Sequence, residues 1–143
     1  MTREALIKLL SERFYGNFAD ETARLVRDAD AVALLYETAT SPHPELPKPI
    51  RRKVLSRGAY VLERIYFASP GSFLPYADAF CRTDFPACGN ASARRHFGKI
   101  MADLLERYEP DGDALERIAE TAAEWAVDPE AKVAVKVWAV EVL

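Results

Sequence analysis

The sequence predicts an all-α protein, with about seven helices pairing into an α-α superhelix. Three observations carry that prediction. Apolar residues recur at helical spacing in segment after segment. The one stretch that alternates like a strand has no second strand to pair with, and a lone strand leaves its backbone unsatisfied. Short and long helical segments also alternate, the pattern of a repeated two-helix unit.

Taken in order, Thr2 caps a first helix carrying Leu6, Ile7, Leu10 and Phe14, ended by Gly16 and Asn17. Asp20 starts a second, with Ala23, Leu25 and Val26 inward. Asp28 or Asp30 restarts a third bearing Val32, Leu35, Tyr36 and Ala39. Prolines at 42, 44, 47 and 49 then exclude helix and sheet interior, so 41–49 is a loop. A long helix begins at Pro49, with Val54, Val61, Leu62 and Ile65 on its apolar side. Gly58 inside it costs about 1 kcal/mol against alanine, which points to a close helix crossing there.

Pro70-Gly71 stops that helix. Ser72 caps a shorter one with Pro75 in its first turn, and the DFPACGN stretch makes a turn. Asn90 or Ser92 opens a helix with Phe97, Met101, Leu104 and Tyr108 on one side. Arg95, Lys99, Asp103 and Glu106 take the other. Asp113 caps the next, with Leu115, Ile118, Ala122 and Trp125 inward and Glu116, Glu120 and Glu124 outward.

The closing DPEAKVAVKVWAVEVL stretch is the ambiguous one. Val133, Val135 and Val137 alternate as in a strand, yet Asp128, Pro129 and Glu130 form a helix start and the alanines favour helix. As a helix it carries two apolar stripes. Ala131, Val135, Trp138 and Val142 make one; Val133, Val137 and Val140 make the other. Two stripes imply two neighbours, and the second is a candidate C-terminal interface for a homodimer or another molecule.

Half of the 143 residues are hydrophobic, 29% are charged and the net charge is −3, the composition of a soluble globular domain. The chain reads as one domain, 1–143, with less regular helices over 1–40, the proline loop over 41–49 and repeats over 50–143. The negative balance disfavours general affinity for nucleic acid or anionic membrane. The charged start and the lack of a long apolar run predict no signal peptide, no membrane partner and a cytoplasmic address. Cys81 and Cys88 read as reduced structural thiols, and neither a metal nor a cofactor is expected.

Residues Ala59–Tyr66, AYVLERIY, align with ADLLERYE from Ala102 at an offset of 43, and Arg51-Arg52 match Arg94-Arg95 at the same offset. Glu141 falls in line with Glu63 and Glu106. With Asp128-Pro129, Val135-Lys136, Ala139 and Val142-Leu143, the run from Ser72 to Leu143 resembles small HEAT-like, or armadillo-like, helical-repeat proteins of uncharacterised function. Some chains of that kind carry the label adenylosuccinate lyase. The serine-rich signature loop of the lyases is missing here, and the chain is far shorter than a lyase subunit. What the resemblance implies is a fold more than a function.

Candidate partner-binding residues are Arg51, Arg52, Arg57, Arg94, Arg95, Lys99, Lys132 and Lys136, with Lys53 beside them. They recur near the starts of the long helices, where cations oppose the helix dipole. The competing reading is that neighbouring acids neutralise them. His43 and His96 read as structural, and no Ser–His–acid set supports catalysis. The sequence therefore leads to a non-catalytic module binding a protein or peptide on a concave helical surface. The alternative is a nucleic-acid-binding protein, similar to HEAT-like DNA-alkylation repair glycosylases with their basic groove.

Overall fold

The computed structural model describes every residue except Arg13. Its fold is all-α, with eight α-helices among the described residues against the seven or so predicted. The eight correspond to the eight helical segments read one by one along the sequence. None of the helices is long and apolar enough to cross a membrane, among the described residues. Two compact units divide the chain, Met1–Ala68 and Ser69–Leu143.

The first unit contains α1 (Arg3–Ser11), α2 (Phe18–Asp28), α3 (Val32–Thr40) and α4 (Lys48–Ala68). Its hub is α4, which packs against each of the other three. Leu6, Leu10, Val26, Leu35, Val54, Leu62, Ile65 and Tyr66 are buried around it. Thr2 caps α1 as the sequence predicts, its Oγ1 accepting the Ala5 N–H at 3.1 Å. Gly58 marks the expected crossing. A Cβ placed there would stand 3.2 Å from Cβ and 3.3 Å from Cα of Ala39, so a bare backbone lets α3 lie against α4.

Several boundaries differ from the prediction, each for a local reason. α1 ends at Ser11, which leaves Phe14 outside the helix and exposed. α2 begins at Phe18, so Asp20 lies in its first turn and reaches across to Arg64 of α4 at 2.7 Å. Leu25 faces solvent, while Ala23 and Val26 are buried. Asp30 adopts φ 52°, a left-handed conformation that aspartate tolerates, and this breaks the chain between α2 and α3. α3 then starts after Ala31, with no side-chain cap.

The second unit opens with a 3-10 turn, Pro70–Phe73, then α5 (Leu74–Ala79) and a π turn, Phe80–Asp84. α6 (Ala91–Leu104), α7 (Gly112–Val127) and α8 (Val133–Val142) follow. Its core is a run of aromatic rings. Phe80 stands edge-on to Phe73 at 5.3 Å and to Phe97 at 5.2 Å, and Phe85 meets Trp125 at 4.6 Å. The π turn brings Phe80 and Phe85 inward together: its wider winding closes with the Phe85 N–H on the Phe80 carbonyl at 2.9 Å.

Here too the caps differ from expectation. Asn90 caps α6, accepting the Ala93 N–H at 2.9 Å, one of the two residues predicted. Asp111 rather than Asp113 caps α7, accepting the Ala114 N–H at 2.9 Å. Leu115 falls on the exposed side. Ser72 is inside the 3-10 turn and starts no helix. α6 ends at Leu104, and the next residues wind into turns ahead of Pro110, which leaves Tyr108 half-buried beyond the helix.

That ending separates the aligned repeat segments. Ala59–Tyr66 lies wholly within α4, whereas the segment from Ala102 straddles the end of α6. Glu63 is buried, while Glu106 and Glu141 are exposed. The likeness at an offset of 43 therefore joins positions with different structural roles.

Candidate interaction surface

The C-terminal stretch is a helix, as predicted, but it starts later than its Asp-Pro-Glu signal suggests. Asp128 Oδ1 accepts the Glu130 N–H at 2.9 Å, and the Asp128 carbonyl accepts the Ala131 N–H at 3.1 Å. This pair of bonds closes a turn around Pro129, a structure aspartate side chains favour. Helix α8 then begins at Val133.

α8 lies on α6 and α7 through Val135, Ala139 and Val142, which are buried. Gly98 makes the close approach to α6 feasible: a Cβ there would sit 3.0 Å from Cβ of Trp138. Trp138 is half-buried at this crossing, with Lys99 Nζ 5.8 Å from its ring centroid. On the opposite face, Val133, Val137 and Val140 are 77%, 51% and 59% exposed. The second stripe is thus a real solvent-facing apolar strip. Lys132 precedes it, and Lys136 and Glu141 border it.

The cations divide into those their own unit employs and those it does not. Arg57 donates to the Leu10 carbonyl at 3.1 Å and stacks 5.0 Å over Phe14, pinning the exit of α1 to α4. Arg94 does similar work in the second unit. Its Nε donates to the Cys88 carbonyl at 2.9 Å, its guanidinium lies 5.1 Å over Trp125, and Asp128 is 3.8 Å away. Arg52 and Lys99 also have partners within the chain. Arg51, Lys53, Arg95, Lys132 and Lys136 have no ion pair among the described residues. Within the first unit, Arg51 and Lys53 share the start of α4 with Arg52. Within the second, Lys132 and Lys136 line α8.

The remaining candidates have structural surroundings. His43 is buried at φ 49° in the proline loop. Its Nε2 lies 2.7 Å from the Thr38 carbonyl, so that nitrogen carries the hydrogen, and Nδ1 accepts from Arg3 at 2.9 Å. Arg3 is also paired with Glu45, whose carboxyl is held below the usual range by a backbone N–H and by Arg3. This imidazole ties the loop to the end of α3 and to α1. His96 is half-buried on α6.

Burial pushes the Cys81 and Cys88 thiols up to about 11, which keeps both protonated and weakly nucleophilic at neutral pH. Glu116, Glu120 and Glu124 face solvent, as the helical spacing predicts. Among the described residues no three His, Cys, Asp or Glu side chains are grouped to hold a metal ion.

Two structural residues leave little trace in the sequence. Gly98 was legible only as a second glycine inside a long helix, forty residues after Gly58. The inward position of Phe85 follows from a five-residue spacing to Phe80 that an α-helical template misses. No family model, curated protein or solved structure matches the chain.

Proposed function

We propose that the chain is a HEAT-like, armadillo-type helical module of the cytoplasm that binds an acidic protein or peptide segment through its helical surface. The observation that carries this reading is the set of cations that the fold leaves unused. Arg51, Lys53, Arg95, Lys132 and Lys136 lack ion pairs among the described residues, although the chain has a surplus of acids and a net charge of −3. Long cationic side chains with apolar stems suit a ligand with alternating acidic and apolar groups. Consecutive helices packed as pairs, α3 on α4 and α7 on α8, agree with a helical-repeat fold.

The test compares proteins captured from the native host by the wild type and by an Arg51→Glu, Lys53→Glu, Arg95→Glu variant. A partner bound by the first and lost by the second supports the reading; identical capture by both ends it. The same cations favour one second reading, binding of nucleic acid. Salt-sensitive binding to a labelled duplex, falling steeply between low and moderate salt, would replace the first reading with that one.

A further inference from the structure

α8 shows one face that its own unit covers and one that it does not. Val133, Val137 and Val140 are spaced by four and then three residues, the d-a-d spacing of a heptad seam. At ~100° per residue, Lys136 falls about 70° to one side of that seam and Glu141 about 70° to the other. They therefore occupy a g and the following e position. Neither makes an ion pair among the described residues.

We infer that the α8 stripe is covered by the α8 of a second copy of this chain, the two helices running parallel about a two-fold axis. The charges select both the occupant and the direction. A two-fold axis along the helices sets the Lys136 flank of one copy against the Glu141 flank of the other. The five-residue offset between them is the g-to-e′ pairing of parallel coiled coils, and symmetry makes the pair twice. Antiparallel pairing would instead join like flanks and bring Lys136 against its own counterpart near the axis. Val137, at the a position, fits a two-stranded contact, a preference that Val133 and Val140 at d do not add to. α6 and α7 lie behind α8, on the Val135, Ala139 and Val142 side, so the seam faces away from them.

The seam is short. A helix of ten residues is about 15 Å long, so the contact falls below the roughly 800 Å² per partner of a stable interface. The dimer therefore forms and dissociates with concentration, with a dissociation constant of about 10 µM to several hundred µM. This inference shares only Lys136 with the acidic-partner reading, and its test needs no acidic ligand.

Sedimentation of the purified chain over a concentration series up to about 1 mM tests it in the range expected of a small interface. The average mass should rise toward that of a dimer. Val137→Glu should keep the protein monomeric, and since Val137 is half exposed the variant retains its fold. Lys136→Glu and Glu141→Lys should each weaken association about threefold to tenfold, and the double exchange should restore it. Direction is read by cysteines in a Cys88→Ser background. Val133→Cys should cross-link to its own kind, and mixing it with Val140→Cys should give no mixed product. A monomer at every concentration overturns the inference, as does a charge exchange that restores nothing. So does a mixed cross-link in place of the homotypic one.

Discussion

The two units of this chain solve the same packing problem with different materials. In the first, one long helix serves three short ones, and its interior admits polar groups: His43, Thr22, Thr38 and Glu63 are all buried there. In the second, the interior is aromatic, and its only buried polar side chain among the described residues is Thr121. Both units use a glycine where two helices come close, Gly58 against Ala39 and Gly98 against Trp138. Each neighbour presents its Cβ first, Ala39 at 3.2 Å and Trp138 at 3.0 Å, and the two differ in the size of the side chain beyond it. A polar interior sets loop positions by hydrogen bonds with defined partners. An aromatic interior sets helix positions by shape, and it leaves more of its last helix uncovered.

The largest effect that separates the two interiors should come from Phe80→Ala. Phe80 is fully buried and contacts Phe73, Phe85 and Phe97, so its loss empties the centre of the aromatic run. A cost of about 4 kcal/mol is expected, read as a fall in the denaturant midpoint with an unchanged slope. A cost under about 1 kcal/mol would mean that the aromatic run is not what holds this unit together.

His43→Ala should rank second, at about 2 kcal/mol, because it strands the Thr38 carbonyl and leaves Arg3 without its ring acceptor. Proteolysis near the proline loop should increase with it, since the loop loses its anchor. An unchanged cleavage pattern and midpoint would show that the polar interior contributes little to placing the loop.

How much of this was legible in advance follows from the range of the forces involved. Helix α4 was readable because its stripe, its glycine and the prolines on either side are all local signals. Exposure of Val133, Val137 and Val140 was readable too, since one helix cannot turn two opposite stripes toward the same neighbours. Leu25 and Leu115 misled because each sits beside the apolar stripe, and only the position of the neighbouring helix decides which side of the stripe is inside. Arg57 and Arg94 misled more deeply. As sequence they are cations in basic runs; in the fold they lie over Phe14 and Trp125 and hold backbone carbonyls. A cation–π contact between distant residues leaves no periodic trace. The signal for an unused cation is thus the geometry of its neighbours, which separates Arg51 and Arg95 from Arg57 and Arg94 only after folding.

The smallest effect concerns pH, and it tests whether the second unit depends on charge at its one strongly paired cap. Asp111 accepts the Ala114 N–H and an Arg82 guanidinium N–H, and these hold its carboxyl below the usual range. Asp78 also pairs with Arg82, at 3.3 Å, so the guanidinium bridges α5 to the start of α7. A carboxyl lowered on folding stabilises above its unfolded value, and that contribution is lost as pH falls through the folded one. The unit should therefore weaken in acid, below the ordinary carboxylate range, and change little between pH 6 and 8 on this account. Asp111→Asn keeps a capping oxygen but removes the charge, so it should flatten the acid limb of a melting-temperature profile while costing little at neutral pH. Glu45, lowered in the same direction by Arg3, supplies the matching experiment in the first unit. If Glu45→Gln flattens the acid limb more than Asp111→Asn does, then acid sensitivity belongs to the unit with the polar interior. The aromatic unit would then owe its stability to shape rather than to its cap.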